Sequence, residues 1–233
     1  EWIEEAAGTD YNQTAKLLNK EKRWIRGICV KPNTPQVKPV SFFSGYDLMD
    51  YYLSYRTDIS EYGIALNIAT DPALTISKSA PKGVLEPFLL DSTPQTPQDY
   101  SDAALLIGST YSDYDSDLHF TPVKVGGVDP MTYIEVVIYS GTIENDLAKV
   151  PDFELVSSET NPALGEQVRF SIVSGNATKN YAYSWFLNEQ ALDDPFYLNQ
   201  SSILLNFTKA GNQVLRVVVS DMKGGVSSRS LLI

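Results

Sequence analysis

The chain of 233 residues has one histidine and one cysteine. A His-Glu-x-x-His zinc site takes two histidines from one helical turn plus a third ligand. His119 stands alone, so no position here can carry the zinc or general-base roles of that motif. Cys29 has no partner for an internal disulfide. It lies in the apolar run WIRGICV and reads as a small buried thiol, because unpaired cysteine packs like a hydrophobe. As a nucleophile it would need a base within reach, and His119 is the lone histidine that could serve. Long apolar runs are missing too: none approaches the ~18–20 residues that span a bilayer. No signal-peptide pattern stands at residue 1, which reads as a processing boundary. Basic residues are the minority, with 18 Lys and Arg against 29 Asp and Glu, for a net charge of −11. That balance argues against nucleic acid, which needs clustered cations. It also disfavours adsorption to anionic membranes.

Tyr, Val, Ile, Thr and Ser are plentiful, and helix-forming runs are few. That composition favours β structure. One helical segment is expected. Thr9 or Asp10 can cap a short helix through Ala15–Lys20, because TDYNQTAKLLNKEK spaces its apolar residues helically. WIRGICV then alternates as a strand, and a run holding Pro32, Pro35 and Pro39 ends it. YYLSYR, YGIALNIA and PFLLD follow, each bounded by Gly, Pro, Asp or Ser. Asp71–Gly83 and STPQTPQDYSD read as loops. Ala103–Thr110, Leu118–Val125 and Thr132–Tyr139 complete a first unit, a β-sandwich over residues 1–145.

Gly141–Pro151 reads as a linker, and the charge shifts across it. Residues 1–150 hold 21 acidic and 12 basic side chains, whereas residues 151–233 hold 8 and 6. In the second unit, residues 150–233, six strand-like runs alternate with turn clusters: FELVSS, QVRFSIV, YAYSWFL, SILLNF, QVLRVVVSD and VSSRSLLI. About eighty residues with about seven strands is the size of an immunoglobulin-like sandwich. Trp185, mid-strand with apolar residues on alternate sides, suits the core of such a fold. The expected class is therefore all-β, with two β-sandwich domains.

The second unit resembles a PKD domain, an Ig-like sandwich. The resemblance rests on Tyr183, Trp185 and Phe186 in YSWF, and on AGNQVLRVVVSDMKGGVSS from Gly211 through Val217 and Val219 to Asp221. Typical members follow the tryptophan with an aspartate and a Gly-Asp-Gly turn, whereas this chain reads FLNEQALDD. The first unit, over roughly residues 20–140, resembles the region after the catalytic domain in secreted zinc peptidases of the gametolysin and immune-inhibitor-A type. KEKRWIRGI stands where that family closes its catalytic domain. YYLSYR matches a strand ending in Glu-Tyr-Arg, with Ser54 in place of Glu. LLDSTP at residues 89–94 matches Leu-Asp-Met-Thr-Pro, and Asp102–Leu105 before GSTYSD matches Asp-Ala-Ala-Leu. The resemblance implies a secreted or cell-surface bacterial protein. It also implies a non-catalytic accessory region of a metallopeptidase, partnered by its own peptidase domain. An extracellular protein or polysaccharide is a further partner class. The rival reading is a cell-surface binding module or adhesin fragment with no peptidase attached.

Few residues offer chemistry. Asp113, Asp115 and Asp117 alternate in YSDYDSDLHF and could converge on calcium if the loop curls. They do not form an EF-hand, because Leu118 and Lys124 stand where Gly and Glu are required. The alternative is a solvated acidic turn. No other cofactor is expected. His119 should lie on the strand face opposite Leu118 and Phe120, exposed or half-buried. Tyr46, Tyr51, Tyr52, Tyr55 and Tyr62 could stack on a ligand or simply pack the sheet. Glu61 with Glu86, or Asp47 with Asp50, could be paired as an acid and base, but an acidic chain offers dozens of such pairs. Asn12, Asn176, Asn199 and Asn206 open N-x-S/T sequons, which a bacterial source would leave unmodified.

Overall fold

A computed structural model describes residues 4–6, 12–18, 27–30, 37–39, 46–55, 62–70, 88–90, 92, 103–114, 117–128, 132–141, 152–174 and 180–233. In chain order the first strands are β1 (Glu4–Ala6), β2 (Asn12–Leu18), β3 (Gly27–Val30), β4 (Val37–Pro39), β5 (Tyr46–Ser54) and β6 (Gly63–Thr70). They are followed by β7 (Phe88–Leu89), β8 (Leu105–Leu106), β9 (Tyr111–Asp113), β10 (Leu118–Gly126) and β11 (Tyr133–Ser140). The later strands are β12 (Phe153–Ser157), β13 (Gln167–Ser174), β14 (Ala182–Leu187), β15 (Gln190–Ala191), β16 (Ser202–Asn206), β17 (Val214–Ser220) and β18 (Val226–Leu232). The described chain is all-β. Among the described residues no helix is long and apolar enough to cross a membrane.

Two sheets make the first sandwich. One runs β1-β3-β5-β6-β7, with β4 added beside β5 and β8 beside β6; the other runs β2-β11-β10-β9. Side chains alternate across a strand, so Leu118 and Phe120 of β10 point the same way as their neighbours Ile134, Val136 and Ile138 of β11. These meet Tyr51, Leu53 and Ile64 from the facing sheet, closed at one end by Leu105 and Ile107. Tyr51 and Phe120 stand with ring centroids 5.4 Å apart and tilted by 53°. That is a favoured aromatic arrangement.

The expected helix over Ala15–Lys20 is not formed. Asn12–Leu18 is a strand, paired antiparallel along its length with β11, from Asn12↔Tyr139 to Leu18↔Tyr133. Seven residues are too few for a helix to hold by propensity alone. A ready strand edge at β11 satisfies their backbone groups, and tertiary context overrides the local pattern. Ala103–Thr110 is likewise shorter as a strand than expected. Only Leu105–Leu106 pairs, with β6, and the chain then turns at Ile107 and Gly108.

The second sandwich packs β12-β13-β16 against β15-β14-β17-β18. Inward residues Phe153, Val168, Phe170, Ile203 and Leu205 of one sheet meet Trp185, Leu215, Val217 and Val219 of the other. Trp185 is 2% exposed, as expected of the core tryptophan. Its indole N–H is satisfied by donating to the Gln200 carbonyl at 2.8 Å.

Candidate functional site

The two sandwiches touch along a seam built from small and hydroxyl side chains. On the first, the turn Ile107–Thr110 between β8 and β9 is fixed from behind. Ile107 N–H donates to the Tyr62 carbonyl at 2.9 Å, and Gly108 N–H to the Pro122 carbonyl at 2.8 Å. On the second, the outer face of β14 and β17 presents Ala182, Ser184 and Ser220, all buried. Ser184 Oγ lies 3.0 Å from Ser109 Oγ and donates to the Ile107 carbonyl at 3.5 Å. Thr110 Oγ1 bridges Thr121 Oγ1 at 2.8 Å and Ser220 Oγ at 2.5 Å.

Gly108 is the point of closest approach. Its φ of +86° suits glycine, and a Cβ there would stand 2.0 Å from the Tyr183 carbonyl oxygen. Asn199, also left-handed at φ 52°, staples the seam from the other side. Its Oδ1 accepts from Tyr183 N–H at 3.0 Å, and its Nδ2 donates to the Val123 carbonyl at 3.0 Å.

His119 lies on the face opposite Leu118 and Phe120, as alternation requires, yet it is fully buried instead of exposed or half-buried. Its outer face is shielded by aromatic neighbours and lies close to the turn after β17. Tyr139 stacks on the ring at 5.8 Å, and Tyr114 meets it edge-on at 6.1 Å. Lys223 sits over the Tyr139 ring, 5.4 Å from its centroid. Nε2 lies 3.3 Å from the Gly141 carbonyl, which can only accept, so Nε2 carries the proton. Nδ1 then accepts from the Ser112 hydroxyl at 3.0 Å. Burial pushes the imidazole below its ordinary pKa, against smaller upward pulls from the Gly141 carbonyl and from Asp117, Asp221 and Asp113.

The three alternating aspartates are placed differently from one another. Asp113 is buried and accepts a hydrogen bond from the Tyr51 hydroxyl inside the first sandwich. Burial first, and then that bond, push the Tyr51 phenol well above its ordinary pKa. Asp117 sits half-buried in the β9–β10 turn at φ 51°, and its carbonyl accepts from Gly141 N–H at 2.9 Å. Asp115 lies outside the described residues. Among the described residues, no three His, Cys, Asp or Glu side chains are grouped to hold a metal ion.

Of the tyrosine cluster, Tyr51 and Tyr55 are core residues, while Tyr62 is half-buried. Tyr46, Tyr52, Asp47, Asp50 and Cys29 lie on described strands, but their side chains are outside the description, and Glu61 and Glu86 are outside it altogether.

Beside the seam a cleft of about 470 Å³ opens. Tyr62, Ile107, Val123, Lys124 and Val125 form one wall, and Pro195, Leu198, Asn199 and Gln200 the other. Pockets of a few hundred Å³ at a junction of units are where small ligands usually bind. In the sequence Lys124 stands out only as the residue that breaks an EF-hand, and Asn199 only as a sequon. A signal for Asn199 was present, since asparagine tolerates left-handed backbone. What it staples is set by Val123, far away in the chain. No protein-family model matches the chain, and no curated protein matches it.

Proposed function

We propose that this chain is a non-catalytic accessory region of a secreted bacterial zinc metallopeptidase, one that holds two β-sandwiches as a single body to support the enzyme or bind its substrate. The seam carries the reading. A loop pinned at Gly108, four paired hydroxyls and the Asn199 staple are the features of a fixed orientation, which a pair of freely tethered domains does not need. A fixed pair of sandwiches presents a cleft and loops at constant geometry, which suits recognition. The peptidase setting is supported by the ordered motifs YYLSYR, LLDSTP and DAALLIGSTYSD.

The test compares the parent enzyme with and without this region. Cleavage of a short peptide should keep its kcat/KM, while cleavage of a folded protein substrate should fall. An open reading frame encoding no His-Glu-x-x-His motif before residue 1 would replace this reading with that of a cell-surface binding module.

A further inference from the structure

The geometry points to the cleft beside Asn199 as a binding site for the C-terminal end of a peptide whose last residue is apolar. The inference rests on reading the region as a binding body and gives that body a ligand class. Ile107, Val123, Val125, Pro195 and Leu198 supply apolar walls from both sandwiches. Such walls take up an aliphatic or aromatic side chain by removing its surface from water.

Charge sets the second requirement. The protein carries a large acidic excess, yet the described residues lining this cleft include one cation, Lys124, and no carboxylate. Lys124 is exposed on β10 with Glu135 as its cross-strand neighbour, and among the described residues it forms no ion pair. An ammonium beside apolar walls complements an apolar group that ends in a carboxylate. The net charge of −11 disfavours the same anion over the surface as a whole.

A third feature separates a peptide from a fatty acid. The Gln200 carboxamide donates through Nε2 to the Leu198 carbonyl at 3.2 Å. Its oxygen accepts from none of the described residues, and a peptide amide N–H is the donor that a fatty acid lacks. The cleft is also held open by construction, because Asn199 bonds backbone on both sides of it. Phe196, which follows the lining residue Pro195, is 83% exposed and offers a further apolar surface to a longer peptide.

The experiment is a titration followed by amide chemical shifts, using N-acetyl-alanyl-leucine, its C-terminal amide and octanoate as probes. The acid should shift the amides of Lys124, Val125 and Leu198–Gln200 saturably. The amide should bind about tenfold more weakly, the effect of losing one charge-assisted hydrogen bond. Lys124→Gln, a surface change that leaves both cores intact, should remove the difference between acid and amide. Four results would overturn the proposal: no saturable shift, equal binding of acid and amide, discrimination kept in Lys124→Gln, or tighter binding of octanoate than of the peptide acid. Peptide binding in a protein with no upstream peptidase would keep the site and discard the peptidase setting. Loss of the site with the parent enzyme's substrate preference intact would do the reverse.

Discussion

Replacing Gly108 with alanine should separate the two sandwiches while leaving each one folded. The new Cβ would meet the Tyr183 carbonyl oxygen at 2.0 Å and its carbon at 2.5 Å. Both are backbone atoms of a central strand, so they cannot swing aside like a side chain. The turn itself is tied to Tyr62 and Pro122 and cannot retreat without losing those bonds. The least costly response is for the second sandwich to move away. That breaks the contacts of Ser184 with Ser109 and of Ser220 with Thr110, each worth about 1 kcal/mol net. Alanine at φ +86° adds about 1 kcal/mol of left-handed strain. That strain is carried docked or not, because Tyr62 and Pro122 hold the turn, so the docked form should lose about 2 kcal/mol relative to the undocked one.

Gly165→Ala is the matched control. Its φ is +82° and nothing lies within 4 Å of the added Cβ, so it carries the strain without the collision. Amide spectra and small-angle scattering read the outcome. Gly108→Ala should shift the amides of Ser184, Asn199 and Ser220 and enlarge the radius of gyration, while Trp185 stays shielded. If Gly108→Ala keeps the parent's amide positions along the seam and melts no lower than Gly165→Ala, the seam does not hold the units together.

Trp185→Ala should destabilise the second sandwich by about 3–5 kcal/mol, and a melting temperature within a degree or two of the parent would place the indole outside the core. His119 is buried in its neutral form, so its stabilising effect is complete above the ordinary histidine pKa and declines as pH falls below it, because the unfolded chain takes up the proton first. Denaturation midpoints between pH 7.5 and pH 5.5 should show that decline, and His119→Gln should flatten it; an unchanged slope in the variant would assign the pH dependence elsewhere. Millimolar calcium should raise the melting temperature no more than sodium chloride of equal ionic strength, since Asp113 already faces Tyr51. A calcium-specific rise that disappears in Asp115→Asn would refute this.

The second sandwich was legible because its strands are half-buried and alternate cleanly. Val168 and Phe170 point in while Gln167 and Arg169 point out, and Trp185 has apolar partners in its own sheet and in the facing one. The N-terminal segment is ambiguous in sequence because NQTAKLL satisfies a helical spacing as well as a strand, and only the distant β11 decides between them. The burial of His119 is hidden from the sequence for a related reason. A strand's own pattern separates its two faces but does not say whether the second face is covered. Here the cover involves Tyr139 and the neighbourhood of Asp221, more than a hundred positions further along. The cleft is still less accessible to sequence reading, since its walls come from segments far apart in the chain, and the one motif on them, the Asn199 sequon, says nothing of a cleft.

The pairing of β2 with β11 also constrains how the chain can be made. Asn12 meets Tyr139, so one strand of the first sandwich waits through synthesis for its partner more than a hundred residues later. Closing so long a loop is entropically expensive and slow, whereas the second sandwich joins strands close in sequence. Until Tyr133–Ser140 emerges, β2 and β10 each lack the neighbour that lies between them, and their unpaired edges can template the wrong contact. Any nascent chain that stalls before residue 133 is thus a candidate for aggregation or chaperone capture.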